Sequence, residues 1–392
     1  MISEPQPWRF RGVNLGGWLV LEKWMKPSLF EGLAATDETT WCAELGPEAG
    51  PRLRAHWDSW ITRADFQWLA ERGLNAVRIP IGHWIFGPPY PYHPAYGPAA
   101  YPFIEGGIDV LDRALVWAAE AKLKVCLDLH AAPGCQNGFD NGGINGVCDW
   151  HTKPEYIDYS VAFLGRLAER YRSSSALAAI EVVNEPSWDV PTPVLEDYYR
   201  RAYGAVRAHC PAGKVAVVFH DGFRSHREFL TFFETAGFEN VMFDVHRYQC
   251  FDRADIALDI QGHVQKAAVQ WRDEALQIQR DLGIPAIAGE WSLGLDLKEV
   301  SLWAPGPYNH ALENLDSFQE DIALRAYGAA QLLAFENYRG WFFWSYRTET
   351  APAWSLRACV ERGWLPSRFS EPRRAAAGAV QAGAGLPADG SA

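Results

Sequence analysis

The sequence predicts a single (β/α)8, or TIM, barrel of the α/β class, and three observations predict it. Eight short apolar runs of strand character recur along the chain. Stretches of amphipathic helical length separate most of them, and seven of the eight runs end in polar or aromatic residues. Strand and helix alternating eight times is the pattern of parallel strands closed into a barrel inside a ring of helices. A chain of 392 residues could hold two ordinary domains or one large barrel. The alternation favours one, over residues 1–374.

Taken in order, the first run is Trp8 to Leu15, followed after a long connection by a helical pattern over Ser59 to Arg72. The second, Ala76 to Ile81, leads through a Pro- and Tyr-rich insertion at Gly87 to Phe103 into a helix over Ile108 to Lys122. The third, Lys124 to His130, is followed by a Gly- and Asn-rich insertion at Gly134 to Trp150 and a helix over Pro154 to Tyr171. Ala179 to Glu185 is the fourth, with Pro193 to His209 as its helix, and Val215 to His220 is the fifth, with a shorter helix at Ser225 to Ala236. Val241 to Tyr248 and a helix over Ala257 to Asp281 precede the seventh run, Ile284 to Glu290. An irregular stretch from Leu293 to Phe318, holding Trp303 and Tyr308, then a helix over Phe318 to Tyr338, leads to the eighth run, Gly340 to Tyr346. Residues 375–392 are low in complexity, rich in Ala and Gly, and are expected to be a disordered tail.

Composition narrows the function. Hydrophobic residues make up 48% and charged residues 21%, which suits a globular chain with a large core. The excess is aromatic, with 18 Trp, 15 Tyr and 20 Phe, enough to build apolar platforms as well as core. A formal charge of −12 gives no electrostatic attraction to a nucleic-acid backbone or an anionic membrane, so a neutral ligand is expected. No run is long enough to cross a bilayer, and Met1 to Trp8 has neither basic region nor apolar stretch, so a cytoplasmic location is expected. Seven cysteines without repeated close spacing read as separate thiols, in keeping with a reducing compartment. Oligomeric state is not legible at this level.

In a barrel of this kind the active site lies at the C-terminal ends of the strands. The residues predicted there are Asn14, Arg78, His130, Asn184, Glu185, His220, Asp221, His246, Tyr248, Glu290 and Trp344. Two of them are glutamates carried by β-branched or small runs that read as strands buried on both faces. Paired carboxylates of this sort are the equipment of a glycosidase that works through a covalent intermediate, with the two groups about 5 to 5.5 Å apart. One must be ionised while the other is protonated, so their environments must push the two pKa values apart. Glu290 is the expected nucleophile, kept anionic by Arg78 and Tyr248. Glu185 is the expected acid, its pKa raised by burial and by the charge of Glu290. Asn184 is expected to face the 2-hydroxyl of the sugar. The chemistry calls for no cofactor and no metal.

The chain resembles glycoside hydrolase family 5 and, within it, is similar to the fungal exo-β-1,3-glucanases. The resemblance rests on Arg11-Gly-Val-Asn-Leu-Gly-Gly-Trp-Leu-Val-Leu-Glu22, Val77-Arg78-Ile-Pro-Ile-Gly82, Asp128-Leu-His130, Gly134-Cys-Gln-Asn-Gly-Phe139-Asp140-Asn141, Asn184-Glu185-Pro186, His246-Arg-Tyr248-Gln-Cys-Phe251, Gly289-Glu290-Trp291-Ser292 and Trp341-Phe-Phe-Trp344-Ser-Tyr-Arg-Thr-Glu349. It implies the same roles for Glu185 and Glu290, a closed subsite for one terminal glucose shaped by Glu22, His130, Asp140, Asn141 and Trp344, and a clamp on the next ring from Phe139 and Phe251. The signal peptide and disulfides of the secreted fungal enzymes are not evident here. The stretch Gly294 to Pro307 departs from their pattern, and the loop before Phe103 is longer.

The expected activity is therefore hydrolysis of terminal β-linked glucose with retention, preferring β-1,3 linkages in a β-glucan oligosaccharide or β-glucoside. Three alternatives stay open. They are a β-glucosidase or glycosylceramidase-like enzyme acting on a non-sugar aglycone, a carbohydrate-binding barrel without catalysis, and a metal-dependent hydrolase using His83, His130, His220 and His246. Against the last, these histidines lack the close spacing usual for metal ligands.

Overall fold

The structure, a computed structural model, describes residues 9–97, 101–295 and 311–369. Trp8, Trp303, Tyr308 and the expected tail over 375–392 lie outside the described residues. Eight parallel strands close into a barrel in sequence order: β1 Phe10–Asn14, β2 Ala76–Gly82, β3 Lys124–Ala131, β4 Leu177–Glu181, β5 Ala216–His220, β6 Val241–Arg247, β7 Ala286–Trp291 and β8 Gly340–Phe343. Closure comes from β1 pairing with both β2 and β8. The apolar runs are buried along nearly their whole length because helices cover one face and the barrel interior the other.

Side chains alternate inward and outward along each strand, so the interior is built in layers. The floor is apolar: Phe10, Ala76, Cys126, Ala179, Ala216, Val218, Met242, Ile287 and Phe342 pack together there. Small residues on most strands leave room for two large ones, and the rings of Phe10 and Phe342 lie 5.2 Å apart. Two residues past the floor stand Arg78, Asp128, Glu181 and Asp244, joined by Asn14 at the end of β1, all fully buried. Polar side chains in a barrel core are tolerated only when they satisfy one another.

The helices differ from the sequence reading at identifiable places. The pattern over Ser59 to Arg72 is broken at Ile61, and a new helix, Arg63–Glu71, starts where Thr62 and Asp65 form a reciprocal cap. Two helices before it, Glu38–Leu45 and Ala49–Trp60, were not foreseen. The expected helix over Ala257 to Asp281 begins at Ile260, passes through a π turn at Lys266–Trp271 and continues to Leu282. The fourth strand ends at Glu181, four residues short of the expected Glu185.

The Pro- and Tyr-rich loop packs on itself. Trp84 stacks on Phe103 with centroids 3.9 Å apart, and His83 lies among Tyr90, Tyr96, Phe103 and Tyr159. All seven cysteines are free thiols. Among the described residues no helix is long and apolar enough to cross a membrane.

Candidate active site

β7 delivers Glu290 to the top of the barrel beside Gly289, where a side chain has no room. A Cβ on Gly289 would meet Asp244 Oδ2 at 1.9 Å, and the Gly289 N–H donates to Asp244 Oδ1 at 2.6 Å. Glu290 accepts from two sides, from Arg78 Nη1 at 3.0 Å on Oε1 and from the Tyr248 hydroxyl at 2.8 Å on Oε2. Both partners are the ones predicted from the sequence. Burial and the charge of Glu290 hold the Tyr248 phenol well above its ordinary range, so it stays a donor.

Arg78 is the centre of the polar layer. Its Nε donates to Glu181 at 2.7 Å, Nη1 also donates to Asn14 Oδ1 at 2.9 Å, and Nη2 donates to Asn184 Oδ1 at 2.8 Å and stands 3.1 Å from Asp128. A planar fork with five N–H groups can hold this many partners in fixed directions; an ammonium could not. The bond to Asn184 turns that side chain so that its amide nitrogen faces away from Arg78.

Glu185 lies beyond the end of β4. Asn184 N–H donates to Leu129 O at 2.9 Å, and Gln136 Nε2 donates to the carbonyls of His130 and Asn184, drawing this segment toward β3. Glu185 itself has a positive φ of 43°, a conformation costly for a residue with a side chain and characteristic of functional sites. Its carboxylate accepts from His246 Nδ1 at 2.7 Å and from Asn141 Nδ2 at 3.2 Å.

His246 Nδ1 also stands 3.4 Å from Glu290 Oε2. One nitrogen within reach of an oxygen of each carboxylate holds those two oxygens near each other, in keeping with the about 5–5.5 Å of a retaining pair.

The protonation pattern corrects the sequence reading. Burial works to raise Glu185, but the His246 hydrogen bond and the charges of His246 and His130 outweigh it, and the carboxyl lies below its ordinary range. Glu290 is raised, by burial first and by Glu185, against His246 and Arg78. Both directions are opposite to those expected. The reason is His246: despite burial, the charges of Glu290 and Asp244 and the bond to Glu185 lift its pKa well above the usual imidazole value. His246, with its pKa lifted, stands one hydrogen bond from Glu185.

Of the remaining predicted residues, Glu22 feels the charges of Asp140, Glu290 and Glu185, and Asn141 donates to Glu185. Glu22, in the loop after β1, is buried, accepts from Trp24 Nε1 at 3.0 Å, and is raised well above its usual pKa by burial and then by Asp140. Burial also pushes Asp140 to about 6. His130 Nδ1 donates to Asp128 Oδ2 at 2.7 Å, and the ring stacks on Trp344, centroids 5.4 Å apart and planes 8° off parallel. Glu22 Oε1, His130 Nε2, Asp140 Oδ2 and Asn184 Nδ2 are buried polar atoms without a protein partner among the described residues. A set of acceptors and donors of this kind suits a ligand rich in hydroxyls. Phe251 is 58% exposed and packs edge-on against Tyr248, while Phe139 is half-buried in the loop after β3.

Two groups of side chains bring potential metal-ligand atoms within 4.8 Å of one another, Glu185 with His220 and His246, and Glu181 with Asp244 and His246. Both depend on His246, whose Nδ1 already serves Glu185. His220, held neutral by burial and by the nearby charge of His246, accepts from Gly222 N–H at 2.9 Å through Nδ1. His83 and His130 are engaged elsewhere, so the four histidines of the metal alternative do not converge.

Sequence reasoning missed Glu181, Asp244 and Gln136 as parts of the site. The first two had a signal: an acid in mid-strand, between apolar neighbours, has to be buried. Burial comes first in raising Glu181 well above its ordinary range, with Asp244 and Asp128 adding to it and Arg78 opposing.

A (β/α)8 barrel with two glutamates brought onto one histidine nitrogen, beside a pocket of hydroxyl-seeking groups, has the features of a glycoside hydrolase. The chain belongs to glycosyl hydrolase family 5, described as cellulase, which matches residues 44–345. It is 39% identical over 390 residues to the probable glucan 1,3-beta-glucosidase A of Aspergillus fumigatus, covering 92% of this chain and 88% of that protein. To the glucan 1,3-beta-glucosidase of Blumeria graminis it is 35% identical over 382 residues, covering 91% and 87%. Its fold is similar to that of the solved rutinosidase from Aspergillus niger, with a TM-score of 0.73 over 93% of this chain and 99% of that one, at 18% identity.

Proposed function

We propose that this enzyme removes terminal β-linked glucosyl residues with retention of configuration, preferring β-1,3 linkages. The observation that carries the reading is the reach of His246 Nδ1 to both carboxylates, 2.7 Å to Glu185 and 3.4 Å to Glu290. That closeness suits direct attack by a carboxylate and favours retention over inversion.

Glu290 is the nucleophile. One of its oxygens forms the bond to the anomeric carbon as the bond to the leaving-group oxygen breaks, and Arg78 and Tyr248 hold the carboxylate in line. Glu185 gives the leaving oxygen its proton. The proton reaches Glu185 along the 2.7 Å bond from His246, which becomes neutral; Glu185 then has the protonated form that general acid catalysis needs. Once the glucosyl ester forms, Glu290 carries no charge. Glu185, now anionic, takes a proton from water, the resulting hydroxide attacks the anomeric carbon, and Glu290 leaves as a carboxylate.

Asn184 donates to the 2-hydroxyl through Nδ2, a reading supported by that atom being buried without a protein partner among the described residues while Arg78 holds Oδ1. Glu22, Asp140 and Trp344 are buried, and Glu22 feels the charges of both catalytic glutamates, which supports a subsite for one terminal sugar and attack on a chain end. The test is the configuration of the first product. Proton NMR of early hydrolysis of a β-1,3-linked glucan should show β-glucose before mutarotation; α-glucose as first product would refute the two-step route.

A further inference from the structure

Two large aromatic side chains stand exposed at the rim of the barrel with no part in the site described above. Trp188, three residues after Glu185, is 63% exposed, and Phe223, three residues after His220, is 43% exposed. A single exposed aromatic needs no explanation. These two form a pair, ring centroids 6.1 Å apart at 62°, and the chain is built to keep them there.

Phe223 has a φ of 58°, a left-handed conformation that is strained for a bulky residue. Its N–H is fixed by Asp221 Oδ1 at 2.8 Å. Arg224 fastens its loop to the loop of Trp188: Nη1 donates to Gly222 O at 2.9 Å, and Nη2 donates to Ser187 O and Trp188 O, each at 3.1 Å, and to Val190 O. Strain retained under an exposed aromatic pair is the mark of a surface kept for contact.

Its position gives the ligand. Phe223 packs on His220 at 5.4 Å, His220 on His246 at 4.3 Å, and His246 bonds Glu185, so the pair adjoins the side of the site where the leaving group departs. Around the rim, the loops after β4 and β5 that carry Trp188 and Phe223 lie between the loop after β3 with Phe139 and the loop after β6 with Phe251. We infer that Trp188 and Phe223 form an outer subsite that takes the third glucosyl unit of a β-linked glucan against the apolar face of its ring. The inference rests on the reading of the enzyme as a β-glucan exo-hydrolase.

The test compares kcat/KM for laminaribiose, laminaritriose and laminaritetraose in the parent and in Trp188→Ala and Phe223→Gly. The disaccharide cannot reach the outer subsite. Each variant should lose roughly three- to tenfold on the tri- and tetrasaccharide relative to the disaccharide, and Trp188→Phe should recover most of the preference. Phe223→Gly relieves the strained φ, so its melting temperature should be no lower than the parent's. An equal fall on all three substrates, or none on any, would overturn the subsite. A parent enzyme that cleaves none of the three would instead overturn the functional reading beneath it.

Discussion

Replacing Tyr248 by Phe removes one oxygen and leaves the ring, so it isolates the 2.8 Å hydrogen bond to Glu290 Oε2. The ring's contacts with Trp354, at 5.2 Å, and Phe251, at 5.5 Å, remain. What matters for rate is the difference in that bond between states. With Glu290 as a carboxylate the bond is charge-assisted and worth about 1.5–3 kcal/mol; with Glu290 esterified to glucose it is neutral and worth about 0.5–1.5 kcal/mol. The hydroxyl thus helps Glu290 leave in the second step by about 1–1.5 kcal/mol, a factor of roughly five to tenfold. An aryl glucoside with a good leaving group makes that step limiting. Its kcat should therefore fall by this factor in Tyr248→Phe, while kcat/KM on the alkaline side changes little. The acid limb should also move to higher pH, because burial already raises Glu290 and the lost donor no longer favours its charged form. Steady-state kinetics from pH 4 to 9, with a melting curve for fold integrity, reads both effects. An unchanged kcat together with an unmoved acid limb would refute the placement of Tyr248 on the nucleophile.

Arg78→Met keeps most of the volume but leaves Asp128, Glu181 and Glu290 without their shared cation; unfolding stability should drop by about 3–5 kcal/mol near neutral pH, and by less at pH 5, where the acids can take up protons. Equal losses at both pH values in urea titrations would show that charge is not the cause. Asp140 gives the opposite sign. Its folded pKa of about 6 exceeds the ordinary carboxyl value, so the folded chain holds the proton more tightly, and stability falls as pH rises from about 4 through about 6. Asp140→Asn keeps an acceptor for the backbone donors and removes the slope; above pH 7 it should be more stable than the parent by up to about 3 kcal/mol, although it should bind the sugar less well. A parallel pH dependence in the two proteins would count against a raised Asp140.

Much of this site was legible because the barrel turns sequence order into spatial order. An apolar run ending at a polar residue marks a strand end, and all strand ends on one face of a closed barrel converge; that logic brought His246, Tyr248 and Glu290 together without coordinates, whereas Arg78, expected at a strand end, is the third residue of β2 and reaches the site by its length. It failed at β4. Val182 and Val183 are as buried as the strand before them, so hydropathy alone cannot show that the ladder stops at Glu181 and that Glu185 sits on a bend held by Gln136 and Arg78. The helices Glu38–Leu45 and Ala49–Trp60 were missed because Gly46-Pro-Glu-Ala-Gly-Pro51 reads as a loop, although it joins and begins them. Protonation was the deepest failure. Glu185 and Glu290 shift opposite to expectation because of where His246 Nδ1 stands between them, and no one-dimensional pattern carries that distance.

The polar layer explains how Glu185 can be held off the regular ladder with enough precision for catalysis. Burying Arg78 among Asp128, Glu181 and Glu290 is a poor way to gain stability, since desolvating those charges costs about as much as their attraction returns. An apolar layer of the same volume would pack the barrel as well. It would leave Asn184 free to rotate and Glu290 free to choose among rotamers. The guanidinium fixes both through one rigid plane, with Nη1 on Glu290 and Nη2 on Asn184, the residue that leads into the strained backbone of Glu185. Donors already aimed need no reorganisation when charge moves from Glu290 to the leaving group and back. Stability given up in the polar layer is thus converted into fixed positions for the two carboxylates.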